Sequence, residues 1–304
     1  MSTLHLELAA LSIIAIYVAA YTLGQPERGS FLAGLVLVCA ASWLAEESCI
    51  LLYETYGYST DWNLFLAHLP LLVIVIWPII VHSAWNLASQ MLRPGHRLVP
   101  LAAAAIVLTD ALLIEPVGVG SGLWSWNESG IFDVPPIAIL GWAYFACLCI
   151  LLFEHAKRRN RTKWFNLLIL VLPVIGTHLL LLLTWWGAFR WIKITVDPKL
   201  AAGFAWALSL ILVYAILKNQ TGKRVQKKML VLRLLGALFL FTWLARNASD
   251  ATWLMVYAIA FAPPYLTLMA QQYLFIRRQH APGRRLSAAL KEDVPFSSKQ
   301  TMAE

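Results

Sequence analysis

Nine apolar runs separated by short polar connectors fill this 304-residue chain. A membrane-crossing helix needs about 20 apolar residues. That window predicts spans at 7–23, 30–53, 64–90, 98–114, 136–155, 164–187, 199–217, 229–245 and 251–276. The first, fourth and eighth runs are short, so their ends are the least defined, and an eight-span variant would break the charge alternation described below. In lipid such runs satisfy their backbone polar groups only as helices. The expected fold is therefore all-α, a polytopic transmembrane helical bundle of about nine spans over residues 1–278. The polar stretch 279–304 is expected to be a disordered cytoplasmic tail.

Composition agrees with the pattern. The chain is 60% hydrophobic and 13% charged, with a mean hydropathy of +0.68, against about a quarter charged in globular domains. Lys and Arg sort into alternate connectors. Nineteen lie at Arg28, Arg93, Arg97, 157–163, Lys218 with 222–228, and from Arg277 onward; four lie at Arg190, Lys193, Lys199 and Arg246. Positive residues mark the cytoplasmic side, so an integral protein of a bacterial inner membrane is expected, with its N-terminus outside and its C-terminus inside. The net charge of +8 then reflects topology and contact with anionic lipids, and no nucleic-acid partner is expected. The first run lacks a basic flank and a small-residue cleavage site, which predicts a first span rather than a cleaved leader.

Candidate chemistry lies in carboxylates placed inside the runs: Glu46 and Glu47 in the second, Asp110 in the fourth. A charged side chain at mid-bilayer costs roughly 2.5 to 3.5 kcal/mol on insertion scales, which makes such acids functional candidates. In a helix the two glutamates point about 100° apart. Glu46 shares a face with Ser42, Cys49 and Tyr53, and Glu47 shares one with Trp43, Ile50 and Glu54; either face suits a cavity. Asp110 follows the small run Ala102–Ala105, which lets a partner helix approach closely. Packing of the second span on the fourth would bring the acids together. The predicted topology also puts His68, Glu115 and His178 toward the same leaflet.

A carboxyl group kept from water and still protonated is a proton donor, suited to protonating a carbon–carbon double bond. The resulting cation needs electron-rich walls, and the chain holds 14 Trp and 10 Tyr. The connector 115–135 carries Trp124 and Trp126, as a lid or as interfacial anchors. A purely structural role for the acids, as partners in helix pairing, is the competing expectation. Cys39, Cys49, Cys147 and Cys149 lack CxxC spacing, and His68, His82 and His178 lack HxxxH or HxxH spacing. No GxGxxG, Walker lysine, CxxCH or DDxxD motif occurs either, so neither cofactor nor metal is expected.

The stretch Thr109–Trp142 resembles the signature of the membrane carotenoid biosynthesis proteins that include carotenoid 1,2-hydratases. Asp110, Glu115-Pro116, Gly122, Trp124, Trp126, Gly130, Phe132, Val134-Pro135, Gly141 and Trp142 follow that pattern in order. Upstream, the Glu46/Glu47 helix ending in Tyr56-Gly57-Tyr58, and Trp77-Pro78 with Ala84-Trp85, are similar too. Two positions depart: Glu115 stands where Asp is usual, and Ala138-Ile139 replaces an Asn-Phe.

The resemblance implies a cofactor-independent hydro-lyase that adds water across a terminal C=C bond of an acyclic carotenoid or other apolar polyene entering from membrane lipids. It casts Asp110 as proton donor with Glu47 or Glu46 as partner, and Glu115 as the group delivering water. Trp124 and Trp126 stand beside the cation, with Trp43, Tyr53, His68 and Trp142 completing the substrate site. A carotenoid cyclase or isomerase using the same acids, or a non-catalytic lipid carrier or scaffold, are the alternatives.

Overall fold

A computed structural model describes residues 3–23, 26–92, 96–159, 164–191, 195–221, 225–248 and 250–279. Its helices are α1 (Thr3–Thr22), α2 (Arg28–Tyr53), α3 (Leu71–Leu92), α4 (Val99–Gly120), α5 (Pro136–Arg159), α6 (Trp164–Gly187), α7 (Pro198–Asn219), α8 (Lys227–Asn247), α9 (Thr252–Ile259) and α10 (Ala262–Gln279). Among the described residues nine stretches are long and apolar enough to cross a membrane, α9 and α10 together making the ninth. The tail expected to be disordered lies, from residue 280, outside the described residues.

Three boundaries differ from the hydropathy windows, each for a local reason. The third run begins at 64, but Leu64–Pro70 does not join the helix. Strands β2 (Phe65–Leu66) and β3 (Leu69–Pro70) make a tight hairpin there, with Ala67 in the left-handed region at φ 57°. The ninth run breaks between α9 and α10, where Pro263 and Pro264 occupy the first turn of α10 and supply no backbone N–H.

The fourth run continues past its predicted end at 114 as far as Gly120, through Pro116. A proline leaves the carbonyl four residues back without its helical donor. That carbonyl, Leu112 O, accepts a 2.7 Å hydrogen bond from the Tyr257 hydroxyl of α9. Pro78 in α3 is handled in the same way: the Cys39 thiol of α2 lies 3.5 Å from Ile74 O. These two internal prolines are thus tolerated because a neighbouring helix supplies the missing donor.

Helices α2 to α6 form one group, in which α4 packs on α5 and α3, α5 on α6, and α2 on α6 and α3. Ala41, Ala84, Ala88, Ala103, Ala146 and Cys149 are wholly buried in its core. Small side chains there let the helices approach closely where lipid gives no hydrophobic drive for association. Helices α7 to α10 form the second group, joined to the first through α1, α3 and α4. The α2–α4 packing that would have brought the acids together is not among the main helix pairs, since each of the two packs on α3 instead.

Where α2 and α4 end, β1 (Tyr56–Tyr58) pairs antiparallel with β4 (Trp124–Trp126), in the register Tyr56 with Trp126 and Tyr58 with Trp124. Side chains alternate along a strand. Four aromatics therefore face into the bundle while Gly57 and Ser125 are exposed. The Trp124 indole lies directly over Gly118 in α4, where an added Cβ would collide with the ring.

Gly118→Ala is expected to displace Trp124 and destabilise the protein by about 1–3 kcal/mol, as overpacking does. Gly203→Ala, in α7 with open space around its Cα, is expected to stabilise by up to about 1 kcal/mol through helix propensity. Thermal unfolding of the purified protein in detergent checks the opposite signs.

Candidate active site

One cavity of about 740 Å³ runs into the bundle beneath the β1–β4 ribbon, walled by α1 to α6, α8 and α10. Its lining is mostly apolar and aromatic, with two polar centres. Of the two faces of α2 left open by the sequence, the cavity takes the one bearing Ser42, Glu46, Cys49 and Tyr53.

The first centre lies against the ribbon. Glu115, 4% exposed, belongs to the last turns of α4 rather than to a connector. Its Oε2 accepts hydrogen bonds from the indole N–H of Trp124 (2.9 Å) and Trp126 (3.1 Å), and its Oε1 accepts one from Trp142 (2.7 Å). An indole N–H only donates, and an ionised carboxylate only accepts, so the set is complementary. Glu46 is served differently: its Oε1 accepts from Trp77 Nε1 at 3.2 Å, and its Oε2 pairs with the Tyr56 hydroxyl. A phenol both donates and accepts. Burial, and the Glu46 carboxyl beside them, push the Tyr56 and Tyr58 phenols well above their usual range, so both keep their protons.

The two carboxyl groups are joined by their own donors. The Trp77 ring, bonded to Glu46, packs at a tilt of 33° against the Trp142 ring, bonded to Glu115, with centroids 4.3 Å apart. Tyr56 stacks on Trp126 at 4.4 Å. The acids thus meet across an aromatic floor contributed by α3, α5 and the ribbon.

The second centre lies deeper. Arg233 of α8 donates through Nη2 to both oxygens of Asp110 (2.5 and 2.7 Å) and to the Tyr265 hydroxyl (2.7 Å), and through Nη1 to Ser83 Oγ (2.7 Å). Asp110 also accepts from Tyr265 at 3.2 Å. All four residues line the same cavity as Glu46 and Glu115.

Other expected site residues fall elsewhere. Glu47 points to another side of α2 and meets His68, its Oε1 lying 2.5 Å from Nδ1 and its Oε2 accepting from the His68 backbone N–H at 3.1 Å. That pair ties α2 to the β2–β3 hairpin, and neither residue lines the cavity. Trp43 is absent from the lining too. Tyr53 lines the cavity, with its hydroxyl 2.8 Å from His178 Nδ1, and the other ring nitrogen of His178 meets Ser48 Oγ at 2.8 Å. Among the described residues no three His, Cys, Asp or Glu side chains gather as a metal-ligand set.

Arg233, Ser83 and Tyr265 were not anticipated. The signal for Arg233 was present: of 24 basic residues, 23 occupy connectors or the tail, and the remaining one falls inside the run 229–245. A cation within one span calls for an anion within another.

A family model described as carotenoid biosynthesis protein matches residues 5–212. The matched segment carries Glu46, Asp110, Glu115 and the whole ribbon, while Arg233 and Tyr265 lie beyond it. No curated protein and no solved structure matches the chain. With well over half its length matched, and with the acids and aromatics of that segment gathered around one cavity, the chain belongs to the carotenoid biosynthesis protein family.

Proposed function

We propose that the protein hydrates an acyclic carotenoid or related polyprenoid, adding water across a terminal C=C bond by acid catalysis through a carbocation. The observation that carries this is the pair Glu46 and Glu115, held in one apolar cavity with different partners, a phenol and an indole for Glu46 and three indoles for Glu115. Glu46 is the acid, because its Tyr56 partner keeps a hydrogen bond whether the carboxyl group is protonated or ionised. Glu115, surrounded by three donor-only indoles, stays the anion.

In the proposed reaction Glu46 delivers its proton to the less substituted alkene carbon, leaving a tertiary cation on the neighbouring carbon. The faces of Trp77, Trp142, Trp126 and Tyr56 lie around the two carboxyl groups, and each cation–π contact is worth about 0.5–2 kcal/mol. The Glu115 carboxylate supplies the balancing charge in a low-dielectric site. A water oxygen then bonds to the cationic carbon, and the proton it sheds returns to Glu46. One water is added, with no net oxidation or reduction.

This assignment moves the donor role away from Asp110. Asp110 is engaged instead in an ion pair with Arg233, at 2.5 Å. Glu47, engaged with His68 off the cavity, has no part in the chemistry. The asymmetry of basic connectors is taken to place the ribbon end on the outer side of the membrane, so the substrate end group lies in the outer half of the bilayer.

Expression in a lycopene-producing bacterium, with chromatography and mass spectrometry of the pigments, tests the proposal. A pigment heavier by one water is expected, and an unchanged profile with the protein present in the membrane would sink it. A product altered but equal in mass to its precursor would indicate a cyclase or isomerase.

In that assay Glu46→Gln should cut product at least about 100-fold, the usual weight of a general acid, whereas Glu47→Gln should keep product within about twofold, as befits a pair at the surface of α2. Trp142→Phe, which keeps a ring over Trp77 but removes one donor to Glu115, should lower product roughly tenfold, in line with a hydrogen bond to a charged group. Initial rates of pigment conversion in isolated membranes, normalised to protein content, check both.

A further inference from the structure

Arg233 has 9% of its side chain exposed, and its Nε–H has no protein partner among the described residues although both terminal nitrogens are engaged. Native interiors leave few buried donors unmade. Arg233 lines the cavity that holds the acid pair; its Nε atom is closed in this packing, so an oxygen acceptor reaches it by a small shift of the side chain. Because Asp110 already balances the charge of Arg233, a neutral oxygen suits this position better than an anion. Asp110 and Glu115 lie five residues apart on α4, a helical rise of about 7.5 Å. The unmade donor thus sits one or two small molecules from the place where the cation forms.

Resting on the hydration reading, we infer that the Asp110–Arg233–Ser83–Tyr265 cluster is the site that binds the nucleophilic water. A guanidinium only donates, so a water held on Arg233 Nε–H accepts there through one lone pair and keeps the other for the cation. Its own hydrogens have acceptors in the same cluster, the Asp110 carboxylate and Ser83 Oγ, which meets the two to four partners a buried water needs. Proton and water then arrive from different ends of the cavity, Glu46 at the ribbon and Arg233 toward mid-bundle. The carbon that receives oxygen is adjacent to the carbon that received hydrogen. The proton released when the C–O bond forms therefore lies within reach of the ionised Glu46.

Without a held water, the cation in this apolar cavity has one easy exit, loss of a proton back to Glu46. That exit is invisible in ordinary water but leaves deuterium in the substrate when the reaction runs in D₂O. Two variants of the full-length protein probe the site in membranes supplied with lycopene in D₂O: Ser83→Ala, and the paired Arg233→Met with Asp110→Asn, which removes both buried charges together and avoids stranding either. Hydrated product should fall at least about tenfold in each, the scale of one hydrogen bond to a charged group. Deuterium incorporation into recovered lycopene should persist or rise.

Hydrated product at the unmodified level in both variants would overturn the water site. So would hydration and deuterium exchange falling in parallel, because that is the signature of a bundle that no longer assembles. If the unmodified protein gives neither hydration nor exchange, the hydration reading itself fails, and the water site with it.

Discussion

A carboxylate inside a lipid-embedded bundle has no solvent to fall back on, so every lone pair must be met by a donor from the protein. The fold of this chain is arranged around that constraint. Glu115 draws an indole N–H from α5 and two from the ribbon, Glu46 draws on α3 and the ribbon, and Asp110 draws on α8 and α10. Since donors to one acid come from helices distant in sequence, satisfying the acids and packing the bundle are the same event.

The ribbon shows how the backbone serves that need. Tyr-Gly-Tyr and Trp-Ser-Trp are three-residue strands that alternate large and small, so pairing them sends four rings inward and nothing bulky outward. The indole of Trp124 reaches Glu115 only because Gly118, one helical turn further along α4, has no side chain in the way. Gly130 plays a similar part in the tight turn that follows: a Cβ there would strike the Val134 carbonyl oxygen. That turn holds Phe132 and Asp133 both at positive φ, and the Phe132 ring is retained against Tyr257 with centroids 5.1 Å apart. Tyr257 also caps the carbonyl freed by Pro116, so one phenol supports both the turn and the helix end that carries Glu115.

The helices and their number were legible because twenty apolar residues in lipid have only one backbone solution. The acids were legible as candidates because their cost in a membrane needs a reason. Their pairing was not. A helical wheel separates the face of Glu46 from that of Glu47, yet nothing local says which face meets a cavity and which meets the β2–β3 hairpin. The hydropathy window ends the fourth span at 114 and leaves Glu115 in the connector, because the Tyr257 hydroxyl that lets the helix continue through Pro116 lies 141 positions beyond that proline in the chain. The Tyr-Gly-Tyr and Trp-Ser-Trp motifs were both visible, but their register depends on where α2 and α4 end in space. Arg233 was hidden by its company: among 23 basic residues that report topology, one that reports a buried partner looks like a ragged span boundary.

The two polar centres are not independent. Helix α3 carries Trp77 to Glu46 and Ser83 to Arg233, six residues apart; α4 carries Glu115 and Asp110, five residues apart. At 1.5 Å per residue these intervals are about 9 and 7.5 Å, so the separation of the centres is set by two rigid helices and not by any loop. A rigid interval of this kind keeps the acid pair and the mid-bundle polar group in constant relation, a preorganisation that the proposed hydration would draw on. The third support of the inner centre, α8, lies outside the segment that matches the family. The matched helices therefore carry Glu46, Glu115 and the aromatic rings around them, while among the described residues the cation paired with Asp110 comes from α8. Helices α8 and α10 thereby line the cavity as well as pack against it.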